Sequence, residues 1–339
     1  MKKVLLVLIG IIALAGGIFL RFYQKQPVSP VVSEPAPIVT QSKEYTMLFV
    51  GDIMLDREVR SQILRAQDPL YPFVRIADTI RSADIAFANL EGPVSDRGVN
   101  QGSKYSFRFE PVGTMHALSF AGFDVVSIAN NHIWDWGKDA LSDTVRFLDD
   151  AKIGHIGAGR NIDEANKPFI AQLDETRVAM LGYTTLYPDS LEAGDDYPGI
   201  SSFTVSSTVK EIERLKEAEQ ADIVVISLHW GIEYASSSTS SQQLIARALI
   251  DAGADLVIGH HPHVVQEVER YKQGWIAYSL GNFVFDQFFS PETMSGFMVR
   301  AHIADGKVES VEQVPIQLTS TFQPYVIGQP GDPALEMVQ

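Results

Sequence analysis

Residues 255–266, DLVIGHHPHVVQ, set three histidines within four positions directly after an apolar run. Such a cluster is either a set of ligands for one cation or a crowd of polar groups where a strand leaves the core. The same pattern recurs along the chain. Asp52 follows MLFVG, Asn89 and Glu91 follow DIAFA, Asn130, Asn131 and His132 follow DVVSIA, and His229 follows IVVISL. Taken singly, Asp52 after a glycine reads as a cap or turn residue, Glu91 before Gly-Pro as a solvated charge, Asn131 as a left-handed turn and His229 as a hydrogen-bonded strand end. Five apolar runs that each end in metal-competent groups are better explained together. Ligands of open α/β sheets bind beyond the carboxyl ends of strands, so these residues would meet along one rim. His155 and His302 lack such company and His116 falls inside a helical pattern, so these three read as structural.

Carboxylate, amide oxygen and imidazole without sulfur suit one or two divalent ions such as Zn, Mn or Fe. The chain has no cysteine, which excludes disulfides and thiolate sites. Within GHHPH, strand alternation sends His261 and His263 to one side and His260 to the other, so His261 and His263 are the expected ligands. His260 is then a support, turned toward Asn282 in the neighbouring block.

The elements that must position these groups alternate. YTMLFVGD reads as a strand, PFVRIADTIRS as a helix, ADIAFANLE as a strand, VGTMHALSFAG as a helix, FDVVSIANNH as a strand and KDALSDTVRFLDDA as a helix. The short strands IGHIGAG and VAMLGYT follow. TVKEIERLKEAEQ then places Val209, Ile212 and Leu215 on one helical face before DIVVISLHW, and SQQLIARALIDAG leads into ADLVIGHH. Near-continuous apolar strands separated by helices imply an α/β fold with sheets covered by helices. After residue 264 the pattern changes: GWIAYSLGNFVFD and GFMVRAHIADGKVESVEQVPIQL read as antiparallel, the second turning at Asp305-Gly306. Three prolines after residue 320 suggest a poorly structured tail over 319–339.

Composition narrows the partners. With 27 basic and 42 acidic residues the net charge is −15, the wrong sign for a nucleic-acid binder. At the amino terminus two lysines precede 17 uncharged residues, 4–20, at the short end of what spans a bilayer. Ala13-Leu14-Ala15 imitates a signal-peptidase site, but the apolar run continues past it, which favours an uncleaved anchor over residues 1–23. Residues 24–43, with four prolines, read as a semi-rigid spacer. The globular domain, 44–318, would then lie outside the cytoplasm on a single-pass anchor.

The blocks VGDIMLDR, ANLEGPVS, SIANNHIWDWG, SLHWGIEY, GHHPHVVQ and YSLGNFVFD resemble those of the CapA family, poly-γ-glutamate capsule synthesis proteins with a calcineurin-like metallophosphoesterase fold. The match covers roughly residues 45–318. The resemblance implies a four-layer α/β/β/α sandwich with a metal centre among its loops. It implies Asp52 as first metal carboxylate, Glu91 as bridging carboxylate, Asn131 as amide ligand, His229 and the final histidines as remaining ligands, and His132 as proton donor to a leaving group. Two positions depart from the wider superfamily: Met54 stands where a histidine ligand is usual, and Glu91 replaces an aspartate. A divalent ion held there would polarise an acyl or phosphoryl oxygen and ionise a water, while His132 protonates the leaving group. The implied partners are an acidic polymer such as poly-γ-glutamate, or an envelope phosphate compound, and other capsule synthesis proteins. Arg57, Lys104 and Arg108 are the candidate carboxylate binders, with ordinary solvated charge as the competing reading. A metal-dependent hydrolase or transferase stands beside a non-catalytic polymer-binding export component with a relic metal site.

Overall fold

The computed structural model describes residues 43–336. The expected anchor, and all of the spacer but its last residue, lie outside the described residues. Among the described residues no helix is long and apolar enough to cross a membrane.

Two sheets carry the architecture. In the first, β1 (Tyr45–Ile53) runs parallel to β2 (Ile85–Leu90), followed by β3 (Val125–Ser127) and β4 (Gly154–Ile156). On its other side β1 pairs antiparallel with β14 (Ser295–Ala304), then β15 (Lys307–Leu318) and β16 (Pro324–Val326), while β13 (Asn282–Val284) joins its far end in parallel. The second sheet has the order β11 (Val268–Tyr271), β12 (Gly274–Ala277), β10 (Leu256–His260), β9 (Ile223–His229), β7 (Thr176–Thr184) and β6 (Phe169–Leu173). A small ladder joins β5 (Ala158–Gly159) to β8 (Gly199–Ile200).

Strand periodicity divides the apolar residues among three cores. From β1, Leu48 and Val50 pack with the first helices, α1 (Arg57–Ala66), α2 (Ala77–Arg81), α3 (Pro111–Ala121) and α4 (Gly137–Ala151), while Met47 and Phe49 face the second sheet. From β7, Val178 and Met180 complete the inter-sheet core, whereas Ala179 and Leu181 pack outward with Ile212 and Leu215 of α6 (Val205–Glu217) and Leu249 of α7 (Ser240–Asp251). Two one-turn helices, α5 (Ile162–Ala165) and α8 (Pro333–Glu336), are peripheral. The layers are therefore α/β/β/α, as expected.

Four local expectations are corrected. The helix expected over PFVRIADTIRS is a 3₁₀ turn, Tyr71–Phe73, followed by the short α2. Helix α1 was not read from the sequence; only Val59 of its ten residues is buried. GWIAYSLGNFVFD is not a self-contained hairpin: β12 lies parallel to β10 and antiparallel to β11, and β13 crosses to the first sheet. The segment after 318 forms β16 and then the one-turn α8, with Phe322 and Val326 buried, and Pro324 sits on an edge strand where a missing N–H is tolerated. The β14–β15 hairpin does turn at Asp305-Gly306, with φ of +49° and +72° as a type I′ turn needs.

Glycine 51 sets where β1 meets β13. A Cβ there would lie 2.0 Å from the carbonyl oxygen of Gly281, whose oxygen also accepts from the Asp52 amide at 3.1 Å. Gly51→Ala should therefore cost about 1–3 kcal/mol of stability, as overpacking a filled core does. The shift in denaturation midpoint measures it, and an unchanged midpoint would mean that β13 moves freely.

Candidate metal centre

The strand ends converge as the sequence suggests. Asp52 is the penultimate residue of β1, Asn89 lies in β2 with Glu91 just beyond, His229 closes β9 and His260 closes β10. Registers Asp52↔Asn89 and His260↔His229 bring neighbouring strand ends level. Docking of the two sheets does the rest, since the His261 amide donates to Asp52 Oδ2 at 3.2 Å across 209 residues of sequence.

Asp52 and Glu91 are fully buried. Asn89 Nδ2 donates to Asp52 Oδ1 at 2.8 Å and reaches Glu91 Oε2 at 3.5 Å, and its Oδ1 accepts from Asn130 at 3.2 Å. His260 Nδ1 lies 3.2 Å from Asp52 Oδ1, and His263 Nδ1 lies 3.4 Å from Asp52 Oδ2. His263 Nε2 stands 3.6 Å and His132 Nε2 3.8 Å from Glu91 Oε1. His229 Nε2 bonds Asn131 Oδ1 at 2.9 Å, and its ring lies 4.9 Å from that of His261. Two groups have ligand atoms mutually within 4.8 Å: Asp52, Glu91 and His263, and Glu233, His261 and His263. Asn131 and His229 meet each other beside these groups.

Polar atoms left unsatisfied in this buried space identify what it is built for. Glu91 Oε1, both ring nitrogens of His260 and Nδ1 of His261 are buried without a hydrogen bond. Unpaired buried polar atoms are costly, and a cation bound by carboxylate and imidazole would satisfy them. Burial alone would raise the Asp52 carboxyl, but His260 and His263 hold it well below the usual range. Burial drives Glu91 well above that range. Burial and the neighbouring His261 push His229 well down, and burial and His263 bring His261 to about 3, so both offer neutral imidazoles. The residues fit a divalent ion.

The placing of the histidine triplet corrects the alternation argument. Strand β10 ends at His260, and His261 and His263 take φ of +96° and +59°, a left-handed backbone that ends strict alternation. All three therefore surround Asp52 or its neighbours. The Asn282 side chain is held by His263 Nδ1 at 3.0 Å, not by His260.

A cleft of about 200 Å³ opens beside the centre, lined by Arg57, Tyr105, His132, Glu233, Tyr234 and His263 among others. His132 is 12% exposed there, its Nδ1 bonded to Asp135 Oδ2 at 2.7 Å and its ring packed at a tilt 4.1 Å from that of Phe107. Arg57 is clamped by Asp286 and packs against Phe107 and Phe285. Arg108 lies 3.6 Å over the Trp136 ring and Lys104 4.9 Å over that of Tyr105; neither makes an ion pair among the described residues. Met54, at the departing position, is buried in the helix-side core, its sulfur accepting from the Asp56 amide. His116 lies in α3. Sequence reasoning missed Asp135 and Glu233. Both lie inside blocks it singled out, three residues after His132 and two after Gly231, and carboxylates at those spacings were the available signal.

Asp52→Asn, which keeps the shape and removes the charge, should empty the centre of metal, whereas His302→Ala should leave it loaded. Elemental analysis of the purified variants checks this; full metal content in Asp52→Asn would refute the ligand assignment.

A family described as bacterial capsule synthesis protein PGA_cap matches residues 46–287. The capsule biosynthesis protein CapA of Bacillus anthracis is 34% identical over 283 residues, covering 82% of this chain and 68% of that protein. The PGA biosynthesis protein CapA of Bacillus subtilis is 32% identical over 273 residues, covering 80% and 70%. Among solved structures, a hypothetical protein from Thermus thermophilus superposes with a TM-score of 0.50 at 17% identity, covering 80% of this chain and 99% of that one. A candidate 5′-nucleotidase from Staphylococcus aureus gives 0.50 at 16% identity, covering 84% and 54%. With its metallophosphoesterase-like fold, and a family match across the whole run of strand-end residues, the chain belongs to the bacterial capsule synthesis protein PGA_cap family.

Proposed function

We propose that this chain is a metal-dependent hydrolase or transferase of capsule or poly-γ-glutamate synthesis and export, acting on the polymer or on a phosphorylated envelope compound. The observation that carries the reading is His132: a partly exposed imidazole, braced by Asp135, at an edge of the buried ligand cluster that opens to a cleft. A relic site has no use for an oriented acid on its open side.

Asp52, Glu91, Asn131, His229, His261 and His263, with His260, would hold the ion. It would supply Lewis-acid polarisation of an acyl or phosphoryl oxygen. Asp135 accepts from Nδ1, which leaves His132 Nε2 as the atom that passes a proton to a leaving group. Phe107 fixes the plane of that ring. A chain of net charge −15 repels an acidic polymer at long range, so local cations must hold it. Lys104 and Arg108, without ion-pair partners among the described residues, are the groups available for carboxylates, and Arg57 contributes an aromatic-packed wall. The relatives' names, capsule biosynthesis and PGA biosynthesis, support this substrate class.

His132→Ala should lower turnover of poly-γ-glutamate or of a generic phosphodiester by about 10²–10⁴-fold, the usual contribution of general acid catalysis, with metal content nearly intact. Loss of the metal in that variant would make His132 a ligand instead. A metal-loaded wild type that turns over neither substrate would favour the binding and export role.

Residues 4–20 are proposed as an uncleaved anchor that holds the domain outside the cytoplasm, on the strength of Lys2 and Lys3 before the apolar run. Fractionation should find the full chain in the membrane. A soluble mature protein beginning after Ala15 would establish cleavage.

A further inference from the structure

Away from the strand-end centre, another group of metal-competent side chains comes together, and it includes a histidine that reads as structural in the sequence. Asp149 in the last turn of α4, His155 in β4 and Glu164 in α5 have ligand atoms mutually within 4.8 Å. They line a cleft of about 490 Å³ beside β4, the edge strand of the first sheet. None of the three belongs to the centre.

The histidine is the member that points to a ligand. Its side chain is only 9% exposed, its Nδ1 is buried without a hydrogen bond, and its Nε2 stands 3.5 Å from Asp149 Oδ1. That separation is long for a hydrogen bond. It is close to the roughly 3.4 Å between a nitrogen and an oxygen bound tetrahedrally to one zinc, given Zn–N and Zn–O lengths of about 2.1 Å. Asp149 Oδ1 accepts no hydrogen bond among the described residues, because Arg160 donates to Oδ2, at 3.0 Å. Burial lowers the pKa of His155, which keeps its ring a neutral ligand.

We propose that Asp149, His155 and Glu164 form a peripheral site for a transition dication, zinc above all, with Arg160 as a built-in competitor that gives way to it. Two carboxylates and an imidazole supply three ligands and leave the fourth position to water. Mg²⁺ and Ca²⁺, which take oxygen ligands, gain nothing from the imidazole. Arg160 now neutralises both carboxylates, pairing with Asp149 at 3.0 Å and with Glu164 through its guanidinium and its backbone amide. The guanidinium is half-exposed, and ion pairs at such a surface are weak, so a dication held by three ligands displaces it into solvent. The bound ion would fasten the end of α4, the edge strand β4 and the short α5 to one another.

Equilibrium dialysis of the full chain against Zn²⁺, with its centre first loaded with Mn²⁺ and bound zinc read by elemental analysis, tests the site. The wild type should hold one zinc more than His155→Ala; any zinc that enters the centre cancels in this comparison. Asp149→Asn, a change at an exposed position, should lose the same ion, so a folding defect in His155→Ala cannot mimic the result. Asp52→Asn should keep it, which separates this site from the centre. Arg160→Ala should bind it about tenfold more tightly, because zinc no longer has to break the surface ion pairs. Equal zinc in wild type and His155→Ala overturns the proposal. A wild type that takes up no additional zinc where Arg160→Ala does also overturns it, since Arg160 then holds the place for good. An Arg160→Ala site no tighter than that of the wild type refutes the competition.

Discussion

Two carboxylates withdrawn from water govern this structure. Asp52 and Glu91 are fully buried, and no lysine or arginine pairs with either among the described residues. Uncompensated, such a charge costs several kcal/mol. The fold meets that cost in two ways. Asn89 supplies a neutral donor to both, and His263 becomes their counter-charge: burial would lower its pKa, but Glu91 and Asp52 raise it to about 9. An ion takes over that role only by displacing the proton, which couples metal uptake to protonation.

The scaffold is rigid where the ligands need it. Three separate apolar cores fix the four layers, and five ligand-bearing segments leave their strands at one rim. The loops beyond the strand ends are tied by specific hydrogen bonds, such as Tyr234 to Pro262 and His263 to Asn282, and by ring contacts, such as Tyr234 with Phe289 and His263 with Phe285. A rigid base with latched loops keeps the candidate ligands in place and leaves the cleft beside them open.

What the sequence disclosed follows from the range of each signal. Strand periodicity and side-chain type are local, so helix-covered sheets and a rim of metal-competent groups at Asp52, Glu91, Asn131 and His229 were legible in the residues, whereas the four-layer stacking was implied by the family resemblance. The fate of GHHPH could not, because alternation holds only inside a strand, and β10 stops at the first histidine. Partners remote in sequence were equally hidden: Arg57 looked like a free carboxylate binder until Asp286, 229 residues later, claimed its guanidinium. Asp135 and Glu233 were passed over because a carboxylate in a loop is ordinary until its distance to an imidazole is known. The crossing of β13 to the other sheet has no local signature at all.

That crossing bears on when the protein becomes competent during its own synthesis. β1 is made early, but the strands that flank and extend it, β14 and β13, come from near the carboxyl terminus, and the histidines that reach Asp52 come only after residue 259. Until most of the chain has emerged, β1 has an open edge and Asp52 has no imidazole beside it. Contacts of this sequence separation form late and slowly. An amino-terminal fragment would thus expose a sticky strand edge and lack the imidazoles beside Asp52, so the cluster forms on completion of the chain rather than during its elongation, and any interruption of synthesis yields material for quality-control proteases instead of a partly built site.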